Sequence, residues 1–350
     1  MAGAEEVEVS DFGRFKSGQR KVVRLSEERL VELGYLDDDR KFPLLIKPAT
    51  DHVSLTSWAA SNKGLLENRL SEHGAILFRN FDVKSVDQFE EVIRSISEEP
   101  LEYNERSSPR SQVSGNIYTS TDYPPEQSIF LHNEQSYNSV FPMKIFFFCH
   151  IPAQWGGETP IADCRKVYER LNPEIVRAFR ERKYAYVRNF GDGFGLSWQS
   201  VFRTTDKAVV EEYCRKNEID FEWKENDRLK TRQVRRAVAT HPRTGEQVWF
   251  NHLTFFHVST LEPQIRADLM AEFAEGELPN NTYYGDGAEI EPAVLDQLRD
   301  SYTAEQITFT WQAGDVLMLD NMLAAHGRRP YAGSRKVVVG MSELFDWKNA

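Results

Sequence analysis

The stretch from Ile129 to Thr159, IFLHNEQSYNSVFPMKIFFFCHIPAQWGGET, constrains this chain most. Its second half carries Met143–Ile151, an apolar run interrupted only by Lys144 and His150. A run of that length bounded by turn residues reads as a strand covered on both faces, which requires layers above and below it. The first half ends a shorter apolar run on His132 and Glu134, two residues apart. In a strand, residues i and i+2 project to the same side, so one imidazole and one carboxylate would point together. Such a pair is two thirds of a 2-His-1-carboxylate set, the donors that hold non-haem Fe(II) while leaving positions open. His326 is the candidate for the third ligand.

Composition narrows the classes. The chain has 350 residues, enough for one large core or two ordinary domains. Asp and Glu outnumber Lys and Arg by 54 to 43, a net charge of -11, so neither a nucleic acid nor an anionic membrane is expected as a partner. Cys149, Cys164 and Cys214 are too few and too scattered for a disulfide framework or a thiolate zinc site, and they point to a reducing cytoplasm. The start, MAGAEEVEVSDFG, is acidic and has no apolar core of the kind a signal peptide needs. No apolar run approaches a membrane span. Residues 1–20 are polar and expected to be flexible; residues 21–350 show no linker and no repeat, and are read as one domain.

Along the chain, 54–72 carries Leu55, Trp58, Leu65, Leu66 and Leu70 at roughly helical spacing, and Ala75–Phe78 reads as a strand. Ser85 with Gln88 forms a capping box for a helix whose apolar face is Val86, Phe89, Val92, Ile93 and Ile96. No Gly-rich phosphate loop follows the strand. Residues 104–127 form a long polar loop, expected as a lid or wall because it runs straight into His132. Gly156-Gly157 makes a turn and Glu158-Thr159 starts a strand; Asn172-Pro173 opens a helix with Ile175 and Phe179 inward. Strands are expected at 183–190, 229–240, 247–250, 307–311, 315–319 and 336–341, with helices at 206–216 and after Pro263 and Pro292. Strands cluster and helices are inserted between them, so the fold expected is mainly β with flanking helices, a sandwich or jelly-roll core.

The tail WQAGDVLMLDNMLAAHGRRPYAGSRKVVVGM places His326 after a strand ending at Asp320-Asn321, with Arg335 nine residues beyond it. This ordered set of His132, Glu134, Thr159, His326 and Arg335 resembles the Fe(II)/2-oxoglutarate-dependent dioxygenases of the TauD/TfdA superfamily. Over residues 40–345 the resemblance implies a double-stranded β-helix core of clavaminate synthase-like type. It implies that His132, Glu134 and His326 hold Fe(II), and that 2-oxoglutarate chelates the metal. Arg335 would then take the distal carboxylate of 2-oxoglutarate as a bidentate fork, helped by the Thr159 hydroxyl. Arg328 and Arg329 are nearby alternatives to Arg335. The implied reaction consumes O2, releases succinate and CO2, and oxidises an aliphatic C–H bond. A carboxylate at Glu134 favours hydroxylation, or desaturation, epoxidation or cyclisation, over halogenation.

Within the superfamily, HNEQSY (132–137), FFFCHIPAQWGGETPIAD (146–163), HPRTGEQVWFNH (241–252) and DNMLAAHGRRPYAG (320–333) are similar to SyrP-like enzymes of nonribosomal-peptide (antibiotic) biosynthesis. That similarity implies an amino-acid substrate, free or bound to a carrier protein. Val339 stands where sulfonate-oxidising relatives carry a second Arg, which speaks against a taurine-like substrate. Asn116, Tyr118, Ser136, Arg188, Trp249 and Asn251 are the substrate-contact candidates, Arg188 as a partner for a substrate carboxylate. Asp315 and Asp320 are expected to shape turns. A different class, a jelly-roll protein holding a non-catalytic metal at His132 and Glu134, would have no need of Arg335 beside Thr159. The sequence carries no signal for oligomeric state.

Overall fold

A computed structural model describes residues 30–97, 99–101, 111–120, 123–191, 193 and 195–349. The N-terminal segment 1–20 lies outside the described residues. The core is an eight-stranded sheet in the order Val31–Tyr35, Leu44–Pro48, Ala75–Phe78, Val316–Asp320, Val140–Ile151, Lys336–Asp346, Ile117–Thr119 and Gln112–Ser114. The strand foreseen at 143–151 is its centre. It pairs antiparallel with Val316–Asp320 on one side (Phe147 opposite Leu317) and with Lys336–Asp346 on the other (Phe147 opposite Val339). The single parallel pairing within this sheet joins Leu44–Pro48 to Ala75–Phe78.

Each face of the central strand meets a different layer. Phe146 and Phe148 point outward into a cluster with Val316, Met318 and Val338, covered by Trp58 of helix Leu55–Ser61, Leu66 and Leu70 of Lys63–His73, and Phe89, Val92 and Ile93 of Val86–Ile96. The last of these helices follows its sequence signal: Ser85 caps it by accepting from the Gln88 amide N–H, and the Gln88 side chain accepts from the Lys84 N–H. Ile145, Phe147 and Cys149 point inward with Leu317, Leu319 and Val339, and meet Ile161 and Ala324 of a second, three-stranded sheet. That sheet runs Ile129–His132, Ala324–Arg328, Ile161–Asp163. Two sheets packed over a shared interior make the expected jelly roll.

A four-stranded antiparallel sheet, Ile219–Trp223, Leu229–Arg235, Tyr184–Phe190 and Asn280–Tyr284, flanks the core. Short helix Leu253–Phe256 contacts both Tyr184–Phe190 and Ile129–His132 and so links this sheet to the jelly roll. No helix among the described residues is long and apolar enough to cross a membrane.

Several expectations need correction. The segment 104–127 is not loop throughout: its described part holds the hairpin Gln112–Ser114 and Ile117–Thr119, because Ile117 and Tyr118 bury themselves against Lys336–Asp346. The remainder, 104–110 and 121–122, lies outside the described residues. Residues 307–311 form a single bridge, Ile307 to Ile161, rather than a strand. The run 229–240 breaks into Leu229–Arg235 and Val238–Thr240. Thr159 lies two residues ahead of its strand, and Val176 joins Phe179 in the core while Ile175 packs against it half-buried.

Candidate active site

His132 is the last residue of its strand, and His326 sits directly opposite it in the middle of Ala324–Arg328. Direct opposition in an antiparallel pair brings side chains together on one face, and the two imidazole centroids are 4.6 Å apart. Glu134 departs from the strand reasoning. The strand ends at His132, and Glu134 belongs to the turn that follows. Its carboxylate still reaches the imidazoles, with Oε2 3.9 Å from His326 Nε2.

Asn321 fixes that turn. Its Oδ1 accepts from the Glu134 N–H at 2.8 Å, and its Nδ2 donates to the carbonyls of Glu134 and Pro142 at 2.8 Å each. The Asn133 side chain answers by donating to the Asn321 carbonyl at 2.7 Å.

Ligand atoms of His132, Glu134 and His326 all lie within 4.8 Å of one another, and all three residues are buried. His132 Nδ1–H donates to the Phe130 carbonyl at 2.8 Å, which leaves Nε2 as the lone-pair nitrogen. A carboxylate withdrawn from water beside two imidazoles, one of them held in the metal-binding tautomer, fits a divalent cation by its donor chemistry. Phe255 lies against the His132 ring at 4.7 Å, His252 at 5.0 Å, and Phe147 against His326 at 5.0 Å, so the donors sit in an aromatic frame.

Both candidate histidines share one narrow cavity with Thr159, Arg335, Ser120, Ile129, Phe147, Gly327 and Arg328. Trp311 Nε1–H donates to Thr159 Oγ1 at 3.0 Å, so the hydroxyl hydrogen is available to a ligand. Arg335 donates through Nε to the Gly157 carbonyl at 3.0 Å and through Nη1 to Ser120 Oγ at 3.4 Å. Gly157 is required here: its φ is +73°, and a Cβ would lie 2.9 Å from the Arg335 side chain. Burial, followed by the charge of Arg328, pushes the Arg335 guanidinium down to about 10. It is a cation short of counter-charge.

Arg328 and Arg329 are employed otherwise. Arg328 spends its Nη donors on the carbonyls of Tyr123, Pro124 and Gln127, at 2.6–2.9 Å. Arg329 is exposed.

The substrate-contact candidates scatter. Trp249 is buried in the core against Phe179, 5.4 Å away, and does not line the cavity. Asn251 shapes the start of helix Leu253–Phe256, accepting from the Leu253 N–H and donating to the Ala237 carbonyl. Ser136 binds the Asn133 carbonyl and His252 Nδ1. Asn116 donates to the Pro100 carbonyl, and Tyr118 packs in the apolar cluster that contains Phe147. Arg188 lies on the flanking sheet. Asp320 shapes the turn before His326, accepting from the N–H groups of Met322 and Leu323, and also pairs with buried His241 at 3.0 Å. Nothing in the sequence marks Asn321, Trp311 or Phe255 for these roles. An Asn at a strand end and isolated aromatics have no periodic or spacing signal to mark them.

Two buried imidazoles and a carboxylate inside a jelly roll are the donor set of non-haem iron oxygenases. The family model described as taurine catabolism dioxygenase TauD, TfdA family matches residues 38–341. The chain belongs to this family, and is an Fe(II)- and 2-oxoglutarate-dependent dioxygenase. It is 41% identical over 298 residues to the dapdiamide synthesis protein DdaC of Enterobacter agglomerans, spanning 83% of this chain and 91% of that one. It is 30% identical over 322 residues to a clavaminate synthase-like protein of Arabidopsis thaliana, spanning 87% and 94%. Among solved structures it resembles PvcB, an Fe, alpha-ketoglutarate dependent oxygenase from an isonitrile synthetic pathway (TM-score 0.51, 15% identity, 95% and 94% covered). It also resembles AAD-2 in complex with Mn(II) and N-oxalylglycine (TM-score 0.50, 14% identity, 89% and 96% covered). At these identities the two structures speak to the fold.

Proposed function

We propose that this dioxygenase hydroxylates an aliphatic C–H bond of an amino acid or amino-acid derivative, free or bound to a carrier protein, within a biosynthetic pathway. In this reading His132, Glu134 and His326 hold Fe(II), and Arg335 with Thr159 holds the distal carboxylate of 2-oxoglutarate. The observation that carries it is that His132 and His326 of the buried triad share a cavity with Thr159 and with Arg335, an arginine that has no carboxylate partner among the described residues. The 41% identity to a protein named for dapdiamide synthesis supports the amino-acid class, as does the similarity of four segments to SyrP-like enzymes.

When bound, the iron and its co-substrate supply the oxidising power; the chain supplies position and a dry surround. The Phe130 carbonyl holds His132 in one tautomer, Asn321 aims Glu134, and Phe147 and Phe255 keep water from the donors. Trp311 donates to Thr159 Oγ1 and so leaves the hydroxyl hydrogen free for a ligand, and the Arg335 fork adds two parallel donors.

The test is anaerobic addition of Fe(II) and then 2-oxoglutarate to metal-free protein. The expected result is a weak visible charge-transfer band that needs both. Absence of metal uptake overturns the triad, and uptake without the band overturns the co-substrate corner. Product mass then separates outcomes: one added oxygen for hydroxylation or epoxidation, loss of two hydrogens for desaturation.

A further inference from the structure

Several buried or half-buried arginines among the described residues are tied to a carboxylate or to backbone carbonyls. Arg79 binds the Asp315 carboxylate, Arg165 the Asp163 carboxylate, and Arg235 the backbone carbonyls of Tyr137, Val234 and Asn217. Arg188 is only 9% exposed, yet among the described residues it has no hydrogen bond and no carboxylate partner. Two rings flank its guanidinium, Phe190 at 4.6 Å and Tyr186 at 5.8 Å. Ring faces attract the cation but supply no acceptor for its five N–H donors, which reach solvent.

The face on which Arg188 stands leads to the candidate metal ligands. Tyr186, two residues earlier on the same side of strand Tyr184–Phe190, lies flat on Phe256 at 4.1 Å. Phe256 is 4.6 Å from His252, and His252 is 5.0 Å from His132. Thr282, opposite Tyr186, donates its hydroxyl to the Leu253 carbonyl. Helix Leu253–Phe256 therefore caps this face, and the same helix lays Phe255 on His132. Arg188 is the next residue along that face, between Thr231 and Asn280 on the neighbouring strands. Three ring contacts separate Tyr186 from the ligand imidazole.

We infer that Arg188 anchors a carboxylate of the substrate, so that the substrate is an anionic amino-acid derivative held by one end on the flanking sheet while its other end meets the metal. This rests on the oxygenase reading of the site. A fork-shaped guanidinium that is mostly covered, still reaches solvent and has no acceptor among the described residues is a receptor for a planar anion. The sheet positions it rigidly, at a distance that selects substrate length.

The test uses the full chain with Fe(II) and 2-oxoglutarate, and reads succinate release. The probes are free and N-acylated amino acids and dicarboxylic monoamides, each beside its methyl ester or primary amide. The expected result is stimulation by particular acids, with neutral counterparts at least about tenfold weaker. Arg188→Met should raise KM for the active acid at least about tenfold with a smaller change in kcat, and Arg188→Lys should restore part of it. The anaerobic Fe(II)–2-oxoglutarate band should persist in Arg188→Met. Its absence from the wild type as well would be a failure of the oxygenase reading, and this inference would fall with it. Esters as effective as acids, an unchanged KM in Arg188→Met, or a panel without any active acid overturns the anchor. Thermal unfolding decides independently of substrate: Arg188→Met should melt close to or above wild type, because no hydrogen bond or ion pair is lost, and a marked drop would make Arg188 structural instead.

Discussion

The two faces of strand Val140–Ile151 are built on opposite principles. Outward, Phe146 and Phe148 enter a cluster that is apolar throughout and closed by three helices; Phe148 stacks on Phe89 at 5.3 Å. Inward, Phe147 meets His326, and the interior beyond it holds imidazoles, a carboxylate, a hydroxyl and a guanidinium. Along Phe146 and Phe148 the outward face is held by the removal of apolar surface from water, which needs no particular partner atoms; only at its end does a buried charge, Lys144, need the carboxylates of Glu67 and Glu343. The inward face tolerates polar groups because an adjacent group orients them: Phe130 carbonyl for His132, Asn321 for Glu134, Trp311 for Thr159, Gly157 carbonyl for Arg335. One strand thus divides stability from chemistry by residue parity.

The sharpest way to break this division is at the proposed metal ligands. His326→Ala should abolish stoichiometric Fe(II) binding and reduce succinate formation to below about 1% of wild type, the loss expected when the reacting centre itself goes. Retained iron by elemental analysis would remove His326 from the site.

The mirror experiment is Phe148→Ala on the outward face. It should cost about 3–5 kcal/mol in denaturant unfolding, while 2-oxoglutarate affinity of the folded protein stays unchanged. A co-substrate defect would mean that the faces are coupled.

Arg335→Ala should raise the half-saturating 2-oxoglutarate concentration by about 10–100-fold, the worth of one or two charge-assisted hydrogen bonds. Arg328→Ala should instead loosen the segment it ties through the Tyr123, Pro124 and Gln127 carbonyls, and show as a lower melting temperature. Equal 2-oxoglutarate defects in both variants would reopen which arginine is the fork.

The smallest effect concerns thiols. Burial pushes Cys149 and Cys164 up to about 12. Their reactive thiolate appears only as pH rises toward that value, so at about pH 8 roughly one in ten thousand is ionised. Native protein should leave both unreactive to a thiol-specific disulfide reagent, and denaturant should expose them. Rapid labelling of the native protein would show an interior more open than either face implies.

The sequence went far in this protein because its chemistry is locally marked. His132 and Glu134 are separated by one residue, His326 and Arg335 by eight, and Met143–Ile151 announces a central strand by composition alone. The helix at Val86–Ile96 was legible for the same reason: its cap and its apolar face lie within one short window. His132 and Glu134 do not share a strand face, since Glu134 follows the strand, yet the pair still converges because Asn321 aims the turn.

What only the tertiary structure decided is every relation between distant segments. Asn321 acts on Glu134 across 187 residues and Trp311 on Thr159 across 152. Arg328 and Arg335 are equivalent in sequence as cations near His326. They differ because one meets backbone carbonyls of residues 123–127 while the other lies against Gly157 inside the cavity. Local spacing determines which groups can point together within a strand or helix. Which buried polar group finds a partner, and which is left for a ligand, depends on packing among elements far apart in the chain, and no pattern along the chain encodes that.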